Sequence, residues 1–395
     1  RAPPPLAHSL LAFEPTSLII HLKPVRISTK STQVMTFTHT SSVTRLSTLL
    51  AVLIFHIVFH PSLHGEGVES DVGKAFEAFE IDQIKDRSTK SMTTAAQRFL
   101  ENLDEILIPK AKLPFNTPEK SVWSNLPPNL DYAGVRIADL SPNELSDLMH
   151  LLASSLSPKG FEKVRGIMLG DDLLVRGDQT GNRMLFGADN YWFFIYGTPS
   201  TTNPWGWQFD GHHLAINLTI VKDSVTVSPS FIGTQPADVE WGERYSHKPM
   251  HIEVAKAFQL VNSLDTEQKS KAIVGERRQN LDAGPGADDV QPPSEGIKGS
   301  QLNSDQRKEL INLVSEWLEI LPRQFADKRQ REIKRTLDGT TFGWWGKTKQ
   351  NSPIYFRIQG PEVLIEFANQ NLGGNPLQHL HSVYRDPSND YGDNF

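Results

Sequence analysis

The chain has 395 residues, of which 38% are hydrophobic and 22% charged, as in a soluble globular protein with room for one large domain or two ordinary ones. The formal net charge is -6 and no stripe of Lys and Arg is present, which gives no reason to expect a nucleic-acid partner. The absence of cysteine excludes disulfides, thiolate metal sites, iron–sulfur clusters and a cysteine nucleophile. It does not exclude an oxidising compartment, because a core of this size can be stable without cross-links.

Two segments at the N-terminus are predicted to lie outside the folded protein. Residues 1–34 begin without Met, mix Pro with Ser and Thr, and predict an upstream extension with no structural role. Residues 35–66 contain a positive residue, Arg45, then a mostly apolar run and a polar exit, which is the layout of a signal peptide. The apolar run is short for a membrane span, so we expect a secreted or periplasmic protein with no stable membrane insertion after leader removal. The alternative is a single membrane anchor.

Helices are predicted from apolar spacing and from capping signals. Residues 67–110 carry apolar side chains at mixed three- and four-residue spacings. A capping box, in which an N-cap oxygen is followed three residues later by Glu or Gln, occurs at Ser141–Glu144, Asp265–Gln268 and Asn303–Gln306. Because such a box satisfies two free backbone donors at once, each one predicts the start of a helix.

Strands are predicted in two groups. The first contains the aromatic run Tyr191–Tyr196 and a hairpin with arms His213–Lys222 and Ser224–Ser228 around Asp223. The second, within residues 339–369, contains three short aromatic or β-branched runs bounded by Gly or Pro. Runs of helix beside runs of strand predict an α+β fold with antiparallel strands flanked by capped amphipathic helices.

A polar segment separates the two strand groups. Residues 276–300 are rich in Gly, Pro and Asp and predict a linker or a long surface excursion. We therefore divide the chain into an N-terminal α+β part, residues 67–285, and a C-terminal part of one helix plus strands, residues 286–395. The second part is expected to complete the same unit.

The first candidate site is the stretch WGWQFDGHHLAIN, residues 205–217. If it is one strand, Asp210 and His212 point to one face and His213 to the other, because side chains alternate along a strand. A bulge at Gly211 would be needed to bring both imidazoles to one side. The alternative is that one His lies in the core and the other at the surface.

The second candidate site is the sequence QHLH. His379 and His381 stand two residues apart, on the same face of an extended segment, where two imidazoles can chelate one metal ion. We expect them to meet His212 or His213, about 165 residues earlier, in a site for Zn, Cu, Fe or Mn. The leading hypothesis is thus an exported hydrolytic or oxidative metalloenzyme. No GxSxG, HExxH, P-loop or GxGxxG motif offers another mechanism.

A strand carboxylate is the third candidate. Glu366 lies between Ile365 and Phe367, and a buried carboxylate needs a partner because burying it alone costs several kcal/mol. It could act as a metal ligand or catalytic base, with Arg357 and Arg385 also assigned to the site. The alternative is a structural ion pair between Glu366 and one of these Arg residues.

A second function class follows from the tryptophans. If Trp205 and Trp207 are exposed, they could stack on a ligand, with Asp210 as a polar contact. The chain would then be a metal-free exported binding protein for an anionic or carbohydrate-like small molecule, held also by Arg357 or Arg385. If the indoles are buried, they are core residues.

Five motifs together resemble a known family. They are DNYWFFIYGTPS, WGWQFDGHHLAIN, SPSFIG, YFRIQGPEVLIEF and HLHSVYRDPSNDYG, in this order over about residues 120–395. The family is that of bacterial and fungal proteins called domain of unknown function 3500. The resemblance implies that the mature chain is one family unit, and it implies no activity.

Overall fold

The computed structural model describes residues 69–127, 132–175, 186–288 and 290–395. The predicted upstream extension, residues 1–34, and the predicted signal peptide, residues 35–66, lie outside these ranges. All described residues belong to one unit.

The helices begin where the capping signals predict. Ser141, Asp265 and Asn303 each accept a hydrogen bond from the backbone three residues on, and the Glu or Gln there accepts one from the cap residue's backbone. None of the helices in this part of the chain is long and apolar enough to cross a membrane. Within the described ranges the α-helices are α1 (Asp71–Ala78), α2 (Thr89–Asn102), α3 (Ile108–Ala111), α4 (Pro142–Ser155), α5 (Pro158–Asp172), α6 (His251–Ser263), α7 (Thr266–Ala272), α8 (Ser304–Leu318) and α9 (Arg323–Arg335).

The helical stretch predicted over residues 67–110 is divided. Ser70 caps α1, which ends before Phe79. Ser88 caps α2, and the Ser88 side chain accepts a hydrogen bond from the backbone N–H of Ser91. Two amphipathic helices with separate caps, followed by the short α3, therefore replace one long helix. Apolar spacing alone could not show the break, because both helices bury one face against the same core.

Fourteen strands lie in the described residues, and twelve of them form one sheet. The sheet order is β1-β3-β4-β5-β6-β14-β13-β12-β11-β10, with β2 on β3 and β9 on β11, while β7 and β8 pair separately. Only β1 with β3 and β9 with β11 pair parallel, so the predicted α+β class with antiparallel strands is confirmed. The strands are β1 (Lys112–Leu113), β2 (Val135–Arg136), β3 (Tyr191–Gly197), β4 (Trp205–Gly211), β5 (Leu214–Val221), β6 (Ser224–Thr234), β7 (Val239–Trp241), β8 (Tyr245–His247), β9 (Ile273–Gly275), β10 (Ile297–Lys298), β11 (Thr341–Gly346), β12 (Ile354–Gly360), β13 (Val363–Asn369) and β14 (Leu380–Arg385).

The two predicted strand groups meet at one seam of the sheet. The β5–β6 hairpin turns at Lys222 and Asp223, as predicted, and β6 is longer than expected. Strand β6 pairs on its other side with β14, the last strand, in a register that sets Gly233 opposite His381. The sheet thus continues across the polar segment that separates the groups in sequence.

The two faces of the sheet differ in chemistry. The face that we call the helical face is apolar and packs on helices in the main core, as Trp207, Ile232 and Phe356 do. The opposite face, here called the loop face, carries polar side chains beside a small apolar cluster that includes Phe231 and Val383. Chain segments without long helices or strands cover it.

The polar segment 276–300 is one of these covers. Ala283 is fully buried on the loop face, and its backbone N–H donates to Glu366 while its carbonyl accepts from Arg385. Farther along, the carbonyl of Pro293 accepts from Arg357. The segment is therefore a surface excursion tied to the sheet rather than a free linker.

Replacing Asn303 by Ala should lower the free energy of unfolding by about 1 kcal/mol, because α8 then loses the acceptor for its first backbone donors. Urea unfolding of the two proteins measures this. Asn303→Asp is the matched control, since it keeps the acceptor and should retain most of the stability. Equal loss in both variants would contradict a capping role.

Candidate metal centre

His212 and His213 form the turn of a hairpin. Strand β4 ends at Gly211, which pairs with Leu214 at the start of β5, so the two histidines are the entire loop. The prediction that strand alternation separates them is wrong, because turn residues do not follow the pleat. His213 has a φ of 65°, in the left-handed region, and the two ring centroids are 3.7 Å apart. No bulge at Gly211 is needed.

The seam between β6 and β14 brings the second histidine pair to this turn. His381 pairs with Gly233, and the N–H of Gly233 donates to the carbonyl of His213 at 2.7 Å. A Cβ atom on Gly233 would come within 3.0 Å of the His213 ring and 3.1 Å of the His381 ring. Glycine at this position therefore lets both imidazoles lie close above the backbone of β6.

Three imidazole nitrogens converge. The Nε2 atom of His379 lies 2.9 Å from Nε2 of His213 and 2.9 Å from Nε2 of His381. In tetrahedral geometry with metal–nitrogen bonds of about 2.0–2.1 Å, ligand nitrogens stand about 3.3 Å apart. Both distances to His379 are a few tenths of an ångström short of this value, and all three nitrogens lie within 4.8 Å of one another, close enough to hold one ion. The predicted meeting of the two histidine pairs, which are 166 residues apart, occurs in the structure.

Burial disfavours the protonated form of all three imidazoles. Burial, with smaller effects of the neighbouring imidazoles, lowers the pKa of His213 and His381 well below its usual value. Burial lowers the pKa of His379 to about 4, because burial outweighs the opposing bond to Leu372. Neutral imidazole is the form that binds a metal ion.

The other ring nitrogens set which tautomer is present. Nδ1 of His379 is 2.7 Å from the carbonyl of Leu372 and must donate to it, which leaves the lone pair on Nε2. Nδ1 of His381 lies 3.4 Å from Nδ2 of Asn125, an amide that donates an N–H in this orientation and would present its oxygen if rotated by a half-turn. The bond to Leu372 therefore favours Nε2 of His379 as a ligand atom.

A carboxylate–histidine pair adjoins this cluster. Nδ1 of His212 bonds to Asp171, whose other oxygen accepts from the N–H of Gly187 at 2.9 Å. The pair is buried, and Asp171, His212 and His213 form a second group close enough to hold a metal ion. Among the described residues, this group and the trio of His213, His379 and His381 are the two such sets.

Asp171 was missed in the sequence, although a signal was present. It stands in GDD at the end of α5, where the negative end of the helix dipole disfavours carboxylates. Two adjacent acids at such a position indicate partners elsewhere in the fold. Asp172 bonds to Ser70 and Trp241, and burial raises its pKa to about 6.

Glu366 is held away from the histidines. Its carboxylate accepts from the Tyr355 hydroxyl and from the Ala283 N–H at 2.7 Å, and it lies 3.8 Å from the Arg357 guanidinium. It belongs to neither of the two metal-capable groups found in the described ranges. These contacts favour the structural alternative over a ligand or base.

Arg357 and Arg385 are also engaged by protein groups, although Nε of Arg357 has no partner among the described residues. Arg357 forms ion pairs with Asp282 at 3.0 Å and Glu295 at 2.7 Å. Arg385 binds Asp288 at 2.9 Å, and it binds Asp390 and the backbone carbonyl of Ala283 as well. Both side chains are buried, so they anchor the covering segments to the loop face.

The candidate ligand-binding residues divide into two kinds. Trp205 and Trp207 are fully buried, and their indole N–H groups donate to Ser200 and Ser155. They are core residues on the helical face and offer no stacking surface. Asp210 is buried on the loop face, where one carboxylate oxygen has no partner among the described residues.

Replacing Glu366 by Gln should lower the free energy of unfolding by about 1–3 kcal/mol. The amide has one oxygen fewer than the carboxylate, so either the Tyr355 hydroxyl or the Ala283 N–H loses its acceptor. Chemical unfolding and metal analysis of the same samples test this, and metal content should not change. Glu267→Gln, at an exposed position, is the control and should be near neutral. Loss of metal from a folded Glu366→Gln protein would place this carboxylate in the centre.

Comparison with protein families gives one match. Residues 85–393 match the family described as "Protein of unknown function (DUF3500)". Comparisons with curated proteins and with solved structures find no match. Since the match spans most of the chain and includes both histidine pairs, the protein belongs to the DUF3500 family.

Proposed function

We propose that the protein is an exported metal-dependent hydrolase in which His213, His379 and His381 bind one transition metal ion. The convergence of their three Nε2 atoms, with distances of 2.9 Å to the central one, carries the proposal. Three neutral imidazoles with an open fourth position are a donor set typical of catalytic zinc. Cu, Fe or Mn in the same set would support the oxidative alternative.

A metal ion bound by these three residues would supply a water molecule with its pKa lowered towards 7. The chain supplies the base. Asp171 accepts the Nδ1–H of His212, which fixes the tautomer and leaves Nε2 of His212 free to accept a proton. His212 lies against His213, with 3.7 Å between ring centroids, so the base adjoins the metal ligands.

Access is from the side of His381. This residue is partly exposed, whereas His212, His213 and His379 are buried. A substrate can therefore approach the cluster past His381 and Asn125. Export is supported by the signal-peptide pattern of residues 35–66.

Protein purified without an affinity tag should contain about one equivalent of metal per chain, because three protein ligands bind one ion in catalytic sites of this kind. His379→Ala and His381→Ala should each lose it, since two imidazoles remain. Mass spectrometry of the desalted protein measures the content. His251→Ala, which removes an exposed imidazole, is the control and should bind like the parent.

Absence of stoichiometric metal after Zn, Cu, Fe and Mn have each been offered would refute the metal centre. Retention of metal by both variants would move the site away from this trio.

Asp171→Asn should keep the metal but reduce metal-dependent ester hydrolysis by about 10²–10⁴-fold, the usual contribution of a positioned acid or base. The probe is 4-nitrophenyl acetate, an activated ester. Asp172→Asn is a closely matched control, because Asp172 is the next residue and its carboxylate bonds to Ser70 and Trp241 instead of His212. Equal rates for the two variants would remove Asp171 from the mechanism.

A further inference from the structure

Three buried oxygen atoms on adjacent strands have no hydrogen-bond donor. They are Oε1 of Gln208, Oδ1 of Asp210 and Oδ1 of Asn217, each without a partner among the described residues. The three side chains are at most 1% exposed. Leaving one such group unsatisfied costs about 1–3 kcal/mol, so three together indicate that something else supplies the donors.

The three side chains share one patch of the loop face. Gln208 on β4 lies directly opposite Asn217 on β5, and Asp210 is two residues farther along β4. The amide donors already have acceptors, because Gln208 donates to the second oxygen of Asp210 at 3.1 Å and Asn217 donates to Pro229 at 3.4 Å. Each amide nitrogen thus has an acceptor, whereas the three oxygens have no donor among the described residues.

Aromatic rings form the neighbouring wall. On β3, Trp192 is paired with Asp210 and Phe194 with Gln208, which places these side chains on the same face within cross-strand contact. Tyr132 lies against Trp192, with 5.1 Å between ring centroids. The faces of aromatic rings attract cations.

The charge of Asp210 is unbalanced within the protein. On the same face the buried Glu366 has Arg357 within 3.8 Å, whereas Asp210 forms no ion pair with the described residues. Burial raises its pKa well above the usual value. A cationic ligand would allow it to ionise.

We propose that Gln208, Asp210 and Asn217 bind the protonated primary amine of a small ligand. An ammonium group has three N–H donors and one positive charge. The donors match the three free oxygens, and the charge matches the carboxylate to which one of these oxygens belongs. A calcium ion would require six to eight oxygens and magnesium a near-octahedral set, and the patch offers neither. A ligand without N–H groups would leave the oxygens unpaired.

This site adjoins the metal centre. Asp210 precedes His212 by two residues, so the patch and the histidine cluster are consecutive along the end of β4. If the proposed hydrolytic function holds, the substrate is an amine-bearing ester or amide whose ammonium is held at Asp210. The binding of amine itself does not depend on the metal.

The test uses the full-length mature protein, with and without prior EDTA treatment. Methylammonium chloride is titrated at constant ionic strength, and saturation-transfer NMR of its methyl signal reports binding. Tetramethylammonium has the same charge but no N–H, and it should bind at least about 10-fold more weakly if the oxygens act as acceptors. Binding by EDTA-treated protein separates this site from the metal centre.

The variants locate the binding. Asp210→Asn keeps the shape and removes the charge, and Gln208→Met removes one acceptor; each should weaken methylammonium binding at least about 10-fold. Gln359→Met is the matched control. Its Oε1 is another buried oxygen without a partner, but it lies on β12, away from the patch, so binding should be unchanged.

Several results would overturn the proposal. One is that the parent protein shows no saturable binding of methylammonium. Another is that tetramethylammonium and methylammonium bind with equal affinity. The third is that a folded Asp210→Asn or Gln208→Met protein binds methylammonium as the parent does. The first result would leave ordered water as the occupant.

Discussion

The antiparallel pairing of β6 with β14 is the constraint on which the metal centre depends. Strand β6 follows the hairpin that carries His213, and β14 carries His381. Leu380, Ser382 and Tyr384 alternate towards the helical face, where Leu380 and Tyr384 join the main core and Ser382 accepts a hydrogen bond from Trp317. A slip of one residue would turn this set to the loop face and His381 away from it. The apolar core thus fixes the register, and the register assembles the histidines.

The two faces of the same sheet have different roles: the helical face holds the main apolar core, and the loop face carries the candidate sites. The helical face is apolar and large, so the loop face can carry buried charge. Arg357 and Arg385 each bind two acids from covering segments, and such pairs are tolerated only when both partners are satisfied, because a lone buried charge is costly. Against this background of paired charges, the unpaired oxygens of Gln208, Asp210 and Asn217 and the converging imidazoles mark the places where a ligand is expected.

Particular residues show how much of the candidate site could be predicted from the sequence. The spacing of His379 and His381 was sufficient to predict a chelating pair, because two residues apart in extended chain means one face. The pair His212–His213 was misread as strand, since nothing in GHH distinguishes a strand from a two-residue turn with one positive φ. Asp171 gave only the weak signal of an acid at a helix end. Glu366 was correctly expected to need a partner, but whether that partner was Arg357 or an imidazole depended on the neighbouring strands.

The sequence by itself determined the local features: the three capping boxes, the β5–β6 hairpin, the α+β class and the DUF3500 membership. These depend on contacts between residues a few positions apart, or on patterns that the chain carries directly. Only the tertiary structure decided which histidines meet, which carboxylate orients His212 and which oxygens stay unpaired. Those contacts join residues up to 166 positions apart, and they exist only because burial of the helical face selects one strand order and one register.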